Sequence, residues 1–392
     1  MKTTPNVSIV LSTVLALCVG TCGCHTTPAT DHPASAATAR PIDSRLTVAA
    51  DRFTKAADGA WVTGEIKAPF AFDELIYSWH LRLEADEGFR LYLRVKSRAD
   101  DVSPWLYAGY WGKVKHVEKR KEPEFEWGKV AMDQVLLRRR AKAFQMKIVD
   151  EGDAALRRPP SFSVVVTDNT PAPELVQRYT ARRVQPAATV LILDLPLRRQ
   201  ADSKGNPIPD RCQSAALATA MQYFGKPVGL EDIVPLTYDA EYEFPGIWPR
   251  TIGAGIQHGF EAYIDRFRDW DDVRRTVAQN KVILCSITMP PGNYKAPPYP
   301  KMGGHIVALN GVTDDGRVVV TDSALWRDNR GYCLQWYTED FEKIWMRNKG
   351  GVGLVICPPA QAQMKLIRNL PPFPADRLRP AAPATAADSV GR

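Results

Sequence analysis

Histidine and cysteine are scarce in this chain, at six and seven residues in 392. The four cysteines beyond the first 24 residues (Cys212, Cys285, Cys333 and Cys357) share no Cys-x-x-Cys spacing, which argues against a zinc site. No cofactor is expected. A strong charge of either sign is also missing. Lys and Arg number 51 against 44 Asp and Glu, a net charge of +7, and the basic runs Arg138–Lys142 and His116–Lys121 have no reading motif beside them. No nucleic-acid partner is implied. No internal repeat is evident. Beyond the first 20 residues no apolar run reaches the length of a membrane span. What remains, 45% hydrophobic and 24% charged, is an ordinary globular composition with length enough for two domains.

The first 24 residues read as an export signal: Lys2, then the apolar run Val7–Gly20, then Thr21-Cys-Gly-Cys24. The last four resemble a lipobox, in which a cysteine after a small residue is lipidated and becomes the mature N-terminus. Cys24 follows Gly23 and is the expected site, with Cys22 and plain cleavage as the alternatives. Residues 25–45 form a Thr/Pro/Ala/Ser tether, and 366–392 a Pro/Ala-rich tail. The expected location is the cell envelope, with a lipid anchor on the membrane.

From 46 to 170 the apolar period is two. Leu75, Tyr77, Trp79, Leu81 and Leu83 alternate with polar residues; Phe89–Val95, Phe144–Ile148 and Ser163–Val166 repeat the pattern. Half-buried strands joined by turns predict an all-β sandwich domain. Trp79 falls in phase with the core. Trp105 and Trp111, in the turn-like Ser103–Gly112, are the candidates for exposed contact. Thr170-Pro-Ala-Pro173 marks the boundary with a second domain at 186–365.

That domain is organised around Arg211–Gly225. Ala216, Leu217, Ala220, Met221 and Phe224 recur at helical spacing and predict one apolar face. Asp210 suits an N-cap with Gln213 as its capping-box partner, and Gly225 a stop. Cys212 then opens the helix, where unpaired N–H groups and the dipole favour a thiolate. A cysteine nucleophile needs a histidine base and a group to orient it. His258 reads as a helix C-terminus closed by Gly259. His305 is the better base, on a strand after Gly303-Gly304, a pair that admits close approach of another backbone. The turn Thr313–Gly316 and the strand Arg317–Asp322 form a hairpin that returns Asp322 beside His305. Asp322 is the expected orienter, Asn310 the weaker substitute. One disulfide among Cys285, Cys333 and Cys357 is compatible with export.

Gln200, Cys212 opening a helix, Gly304-His305 opening a strand and Val318-Val-Val-Thr-Asp322 together resemble the C39-like cysteine peptidases, a branch of the papain-like fold. The resemblance extends over most of 190–360 and includes Gly246–Arg250, the strand Lys281–Ile287 and Gly350–Ile356. It implies an α+β catalytic domain preceded by the sandwich, and a peptide or protein substrate cleaved through a thioester acyl-enzyme. The implied roles are Cys212 nucleophile, His305 base, Asp322 orienter and Gln200 oxyanion donor. Gln213-Ser214 after the cysteine, and Thr321 and Ser323 about Asp322, depart from the commoner Gly-Pro and Asn-Asp-Pro. The same residues suit an acyl or peptidyl transferase. A surface-anchored binding protein whose papain-like domain has lost turnover is the reading from another class.

The N-terminal reading is checked by mass spectrometry of the mature N-terminal peptide, which is expected to begin at a diacylated Cys24. An unmodified terminus beyond residue 24 would mean secretion without an anchor.

Overall fold

The alternation of period two becomes long strands in the computed structural model, which describes residues 40–357 apart from 99, 120–121, 181–187, 193, 296 and 327–328. Cys22, Cys24 and the tail 366–392 lie outside the described residues. The principal strands of the first half are β1 (Ile42–Val48), β2 (Ile66–His80), β3 (Gly88–Arg98), β4 (Leu106–Gly112), β5 (Gln134–Asp150) and β6 (Ser161–Asp168). With shorter strands they form one antiparallel sheet of eleven. At 15 and 17 residues, β2 and β5 are too long to remain flat. Register shifts between Leu136 and Ala143 bend their pairing, and β5 then pairs with β3 from Ala143 to Asp150. The sandwich is thus a single sheet folded over its own core. Phe72 meets Phe144 at 6.5 Å, and Trp79 of β2 meets Phe89 of β3, a strand that does not pair with β2, at 5.9 Å.

Two expectations for this half change. Trp111 is no surface aromatic: it is 2% exposed, sits opposite Phe89 in β4, and packs on Trp79 at 5.9 Å. Trp105 is half-buried beneath the Arg94 guanidinium, 4.4 Å from its ring. The basic run Arg138–Lys142 lies within β5. Arg138 pairs with Glu124 (3.1 Å), Arg139 with Asp101 (2.7 Å) and Arg140 with Asp168 (2.8 Å), so the three arginines of the run have carboxylate partners within the protein.

The second half contains α1 (Cys212–Tyr223), α2 (Leu230–Thr237), α3 (Trp248–Gln257), β7 (Glu261–Arg266), α4 (Trp270–Ala278), β8 (Val282–Met289), β9 (Met302–Val312), β10 (Arg317–Thr321), β11 (Leu334–Tyr337) and β12 (Val352–Cys357). Its sheet runs β7-β12-β8-β9-β10-β11, all antiparallel, with the short Val190–Leu191 added to β9. The fold is α+β. Helix α1 packs on β9 and departs from the one-faced helix predicted: every residue from Gln213 to Met221 is buried. A run of Ala, Ser, Thr and Leu permits this, because small side chains let neighbours close in on all sides. Asp210 is not its N-cap. Arg211 holds that position without a side-chain cap, Asp210 stands at φ 56°, and Gln213 Nε2 donates to the Thr237 carbonyl at 3.4 Å instead. Gly225, at φ 82°, does end the helix, with the Lys226 N–H on the Met221 carbonyl at 2.9 Å. No disulfide joins Cys285, Cys333 or Cys357.

The halves are joined by buried charge. Arg266 of β7 donates to Glu74 of β2 and lies 3.9 Å from Asp43, which also accepts from Arg268 at 2.6 Å. Burial opposes the Asp43 carboxylate, but Arg268 and Arg266 hold it below the usual carboxylate range. Further along, Gln257 of α3 exchanges two hydrogen bonds with the Leu83 backbone (3.0 and 2.8 Å), and Asp133 accepts from the Trp248 N–H at 3.0 Å, where α3 begins.

Arg266→Ala strands Glu74 in this junction. A cost of about 3–5 kcal/mol is expected for a broken buried pair, read as a lowered midpoint in urea unfolding. A loss below about 1 kcal/mol would mean that the pair behaves as a surface one.

Candidate active site

Cys212 stands at the first position of α1, half-buried, while His305 in β9 is 8% exposed and Asp322 fully buried. The hairpin turn brings the last two together, but only with help from a bulge. From Val312↔Val318 the register steps by one residue between Leu309 and Gly311, so that Ala308 pairs with Thr321. Val307 then faces Asp322, and Val307 and His305 share a strand face. Without the step Asp322 would stand opposite Ala308 and point to the other face. Gly311 makes the bulge, at φ 149°, where an added Cβ would come within 2.0 Å of the Val190 carbonyl oxygen.

The expected substitute orienter, Asn310, is the bulged residue itself. Its Nδ2 donates to the Ile192 carbonyl (3.1 Å), its Oδ1 accepts from Thr321 Oγ1 (2.9 Å), and its own carbonyl accepts from the Ile192 N–H (2.7 Å). It pins the register and makes no hydrogen bond to His305. Gly304 also corrects its expectation. An added Cβ there would meet nothing within 4 Å, so at Gly304 the side-chain direction is open space and not a backbone contact.

His305 Nε2 and Asp322 Oδ1 are 2.7 Å apart. An ionised carboxylate only accepts, so Nε2 carries the proton and Nδ1 is the ring nitrogen left for Cys212. Asp322 Oδ1 takes a second bond from the Ala324 N–H (3.0 Å) and Oδ2 one from the Tyr299 hydroxyl (2.7 Å). Its backbone is held as well: the Asp322 N–H donates to the Gly331 carbonyl at 2.8 Å, and a Cβ on Gly331 would lie 2.0 Å from the Asp322 carbonyl oxygen. Burial by itself would push the His305 pKa down. The Asp322 charge and hydrogen bond, with those of Cys212, outweigh it and raise the value well above normal. Burial would push Asp322 up, yet His305 and the Tyr299 hydroxyl hold it below its ordinary value.

Gln200 bridges the head of α1 and the turn that follows β10. Its Oε1 accepts from the Arg211 N–H (3.1 Å), one residue before Cys212, and its Nε2 donates to Ser323 Oγ (3.2 Å), one residue after Asp322. One amide hydrogen is spent on Ser323, which leaves the second, with the unpaired N–H groups opening α1, as donors for a developing oxyanion. His258 is elsewhere. It caps α3, and its carbonyl accepts from Lys226 Nζ at 2.6 Å. Tyr299 and Ser323 were missed by sequence reasoning. Tyr299 has no periodic signal; an aromatic between prolines shortly before Gly303-Gly304-His305 is the only hint. Among the described residues no cluster of His, Cys, Asp and Glu could hold a metal ion.

Residues 192–352 match the model of the Peptidase_C39 like family. This part of the chain is similar to that family. All four site residues, Gln200, Cys212, His305 and Asp322, lie inside the matched span of the C39-like domain. Among solved structures it is similar to a candidate C39-like peptidase from Bacillus anthracis, at 14% identity over 43% of this chain and 98% of that one, with a TM-score of 0.33. No curated protein matches the chain.

The two pKa directions define a pH window. Asp322, lowered in the folded state, contributes stability above its unfolded value of about 3.9 and loses it as pH falls through the folded one. His305, raised, contributes fully below its unfolded value of about 6.5 and loses this as pH rises through the folded one. The stability contributed by the imidazolium–carboxylate pair is therefore full from about pH 4 to about 6.5. Iodoacetamide should label Cys212 at pH 5–6 at least about tenfold faster than a free thiol, whose pKa lies near 8.5. His305→Ala should remove the advantage, and His258→Ala should leave it.

Proposed function

We propose that the protein is a cysteine peptidase that hydrolyses amide bonds of peptides or proteins through Cys212, His305 and Asp322. The observation that carries this reading is His305, 2.7 Å from the buried Asp322 carboxylate and with the Cys212 thiol among the groups that raise its pKa, within a span that matches the C39-like family. His305 Nδ1 takes the proton of Cys212 as sulfur attacks the carbonyl carbon. The oxyanion is met by the second Gln200 N–H and the backbone N–H groups at the start of α1. When the C–N bond breaks, His305 gives its proton to the leaving amine, and the acyl group stays on sulfur as a thioester. Water, deprotonated by His305, then attacks the thioester and releases a carboxylate while the proton returns to sulfur. No step calls for a cofactor. An acceptor amine in place of water would make the same residues a transferase.

The proposal extends to location. The apolar segment Val7–Gly20 and Thr21–Cys24 support export and a lipid on Cys24. Among the described residues no helix is long and apolar enough to cross a membrane.

On a peptide substrate found by screening a proteome-derived library, Cys212→Ala and His305→Ala should abolish turnover. Asp322→Asn should retain part of it and Asp322→Ala less. Gln200→Ala should cost on the order of a hundredfold in kcat, and His258→Ala should change kcat little. A dead His258→Ala beside an active His305→Ala would overturn the base assignment. Failure to cleave any peptide, together with ordinary slow alkylation of Cys212, would favour a binding protein.

A further inference from the structure

The loop between β8 and β9 delivers one side chain to the site that no part of the reading above employs. Tyr299 donates its hydroxyl to Asp322 Oδ2 at 2.7 Å and sets its ring edge-on to His305, with centroids 6.0 Å apart. We propose that Tyr299 is a positioning residue of the triad, whose hydrogen bond to Asp322 sets how tightly His305 holds its proton. The role rests on the Cys212–His305–Asp322 reading.

The argument begins with the carboxylate. Asp322 is fully buried, out of contact with bulk solvent, and its donors within the protein are His305, the Ala324 N–H and Tyr299. A hydroxyl donor draws electron density toward Oδ2 and weakens Oδ1 as an acceptor from the imidazolium. Asp322 must be basic enough to hold the His305 ring in one orientation, yet an imidazolium bound too strongly is a poor acid for the leaving amine. Tyr299 provides the moderation. The other groups facing this cluster are Cys212 from α1, which acts on both His305 and Tyr299, and Arg330 from the segment before β11, which acts on Tyr299. Burial and the Asp322 carboxylate keep the Tyr299 hydroxyl protonated far above its ordinary range, so it donates throughout the working pH.

A purely structural role for this hydroxyl is weakened by the loop's other anchors. The Lys295 N–H donates to Asp340 Oδ2 (2.6 Å), Lys295 Nζ pairs with Glu339 (3.3 Å), Tyr294 donates to the Pro290 carbonyl (3.1 Å), and Thr288 Oγ1 donates to the Gly303 carbonyl (2.6 Å). Tyr299→Phe keeps the ring and all four.

The test is the pH dependence of Cys212 alkylation by iodoacetamide in the full chain, which needs no substrate. Wild type should show a lower inflection for formation of the thiolate–imidazolium pair and an upper one for loss of the imidazolium proton. In Tyr299→Phe the upper inflection should rise by half a unit or more; with a substrate in hand, kcat should fall severalfold at unchanged KM. Should Tyr299→Phe fold poorly, 3-fluorotyrosine at 299, a stronger donor on a ring of nearly the same size, should move the upper inflection down. Superimposable profiles, or shifts in the opposite directions, overturn the role of Tyr299 alone. An upper inflection that persists unchanged in His305→Ala overturns the triad reading and this role with it.

Discussion

The buried pair of His305 and Asp322 is the constraint on which the candidate site depends. Two ionisable groups removed from water are costly unless each satisfies the other and the remaining lone pairs find donors. Here both carboxylate oxygens are used, by the imidazole and the Ala324 N–H on one and by Tyr299 on the other. That demand explains features otherwise unrelated: the 3-10 turn after Thr321 that supplies Ala324, the glycine at 331 against the Asp322 carbonyl, and the return of the loop 290–301 to the triad. Cys212 stands at the head of a helix buried on every side, and its place is held by that packing together with Gln200 on the Arg211 N–H and Gln213 on the Thr237 carbonyl.

A second constraint comes from outside the C39-like domain. The folded-over sheet supplies Glu74 and Asp43 to Arg266 and Arg268, two Leu83 backbone groups to Gln257, and Asp133 to the N-terminus of α3. The segment between α2 and α3 is gripped too. Glu241 accepts from the Tyr107 hydroxyl at 2.8 Å and pairs with Arg90 at 3.4 Å, and the Ala240 N–H donates to Tyr110 at 3.2 Å. The same segment begins beside α1, where Gln213 donates to the Thr237 carbonyl and Arg211 lies over the Tyr238 ring at 5.9 Å. The β half therefore braces one flank of the cysteine.

Much of this was legible in sequence because it follows from local rules. Alternation gave strands, small and apolar residues at helical spacing gave α1, Gly225 its end and Thr313–Gly316 the hairpin. The errors have physical causes too. Trp111 lies in a stretch that resembles a turn, and only the sheet beside it and α3 above it make it core; Gly253 of α3 is so close that a Cβ would come 2.9 Å from its ring. Asp210 has the chemistry of a cap, but backbone at φ 56° and the buried demand on Gln213 override the local preference.

The residue types of the site, and the hairpin that carries two of them, were determined by the sequence itself. Which face Asp322 occupies was not. In a strand a slip of one residue exchanges the faces, and nothing near Asp322 in sequence records the slip. It is decided at Asn310 and Gly311, where Ile192 and Val190, more than a hundred positions earlier, lie beside β9 and hold the bulge in place. Tyr299 was invisible for the same reason. Its role is defined by the carboxylate it reaches across a loop closure, and a contact between distant positions exists only once the chain is folded.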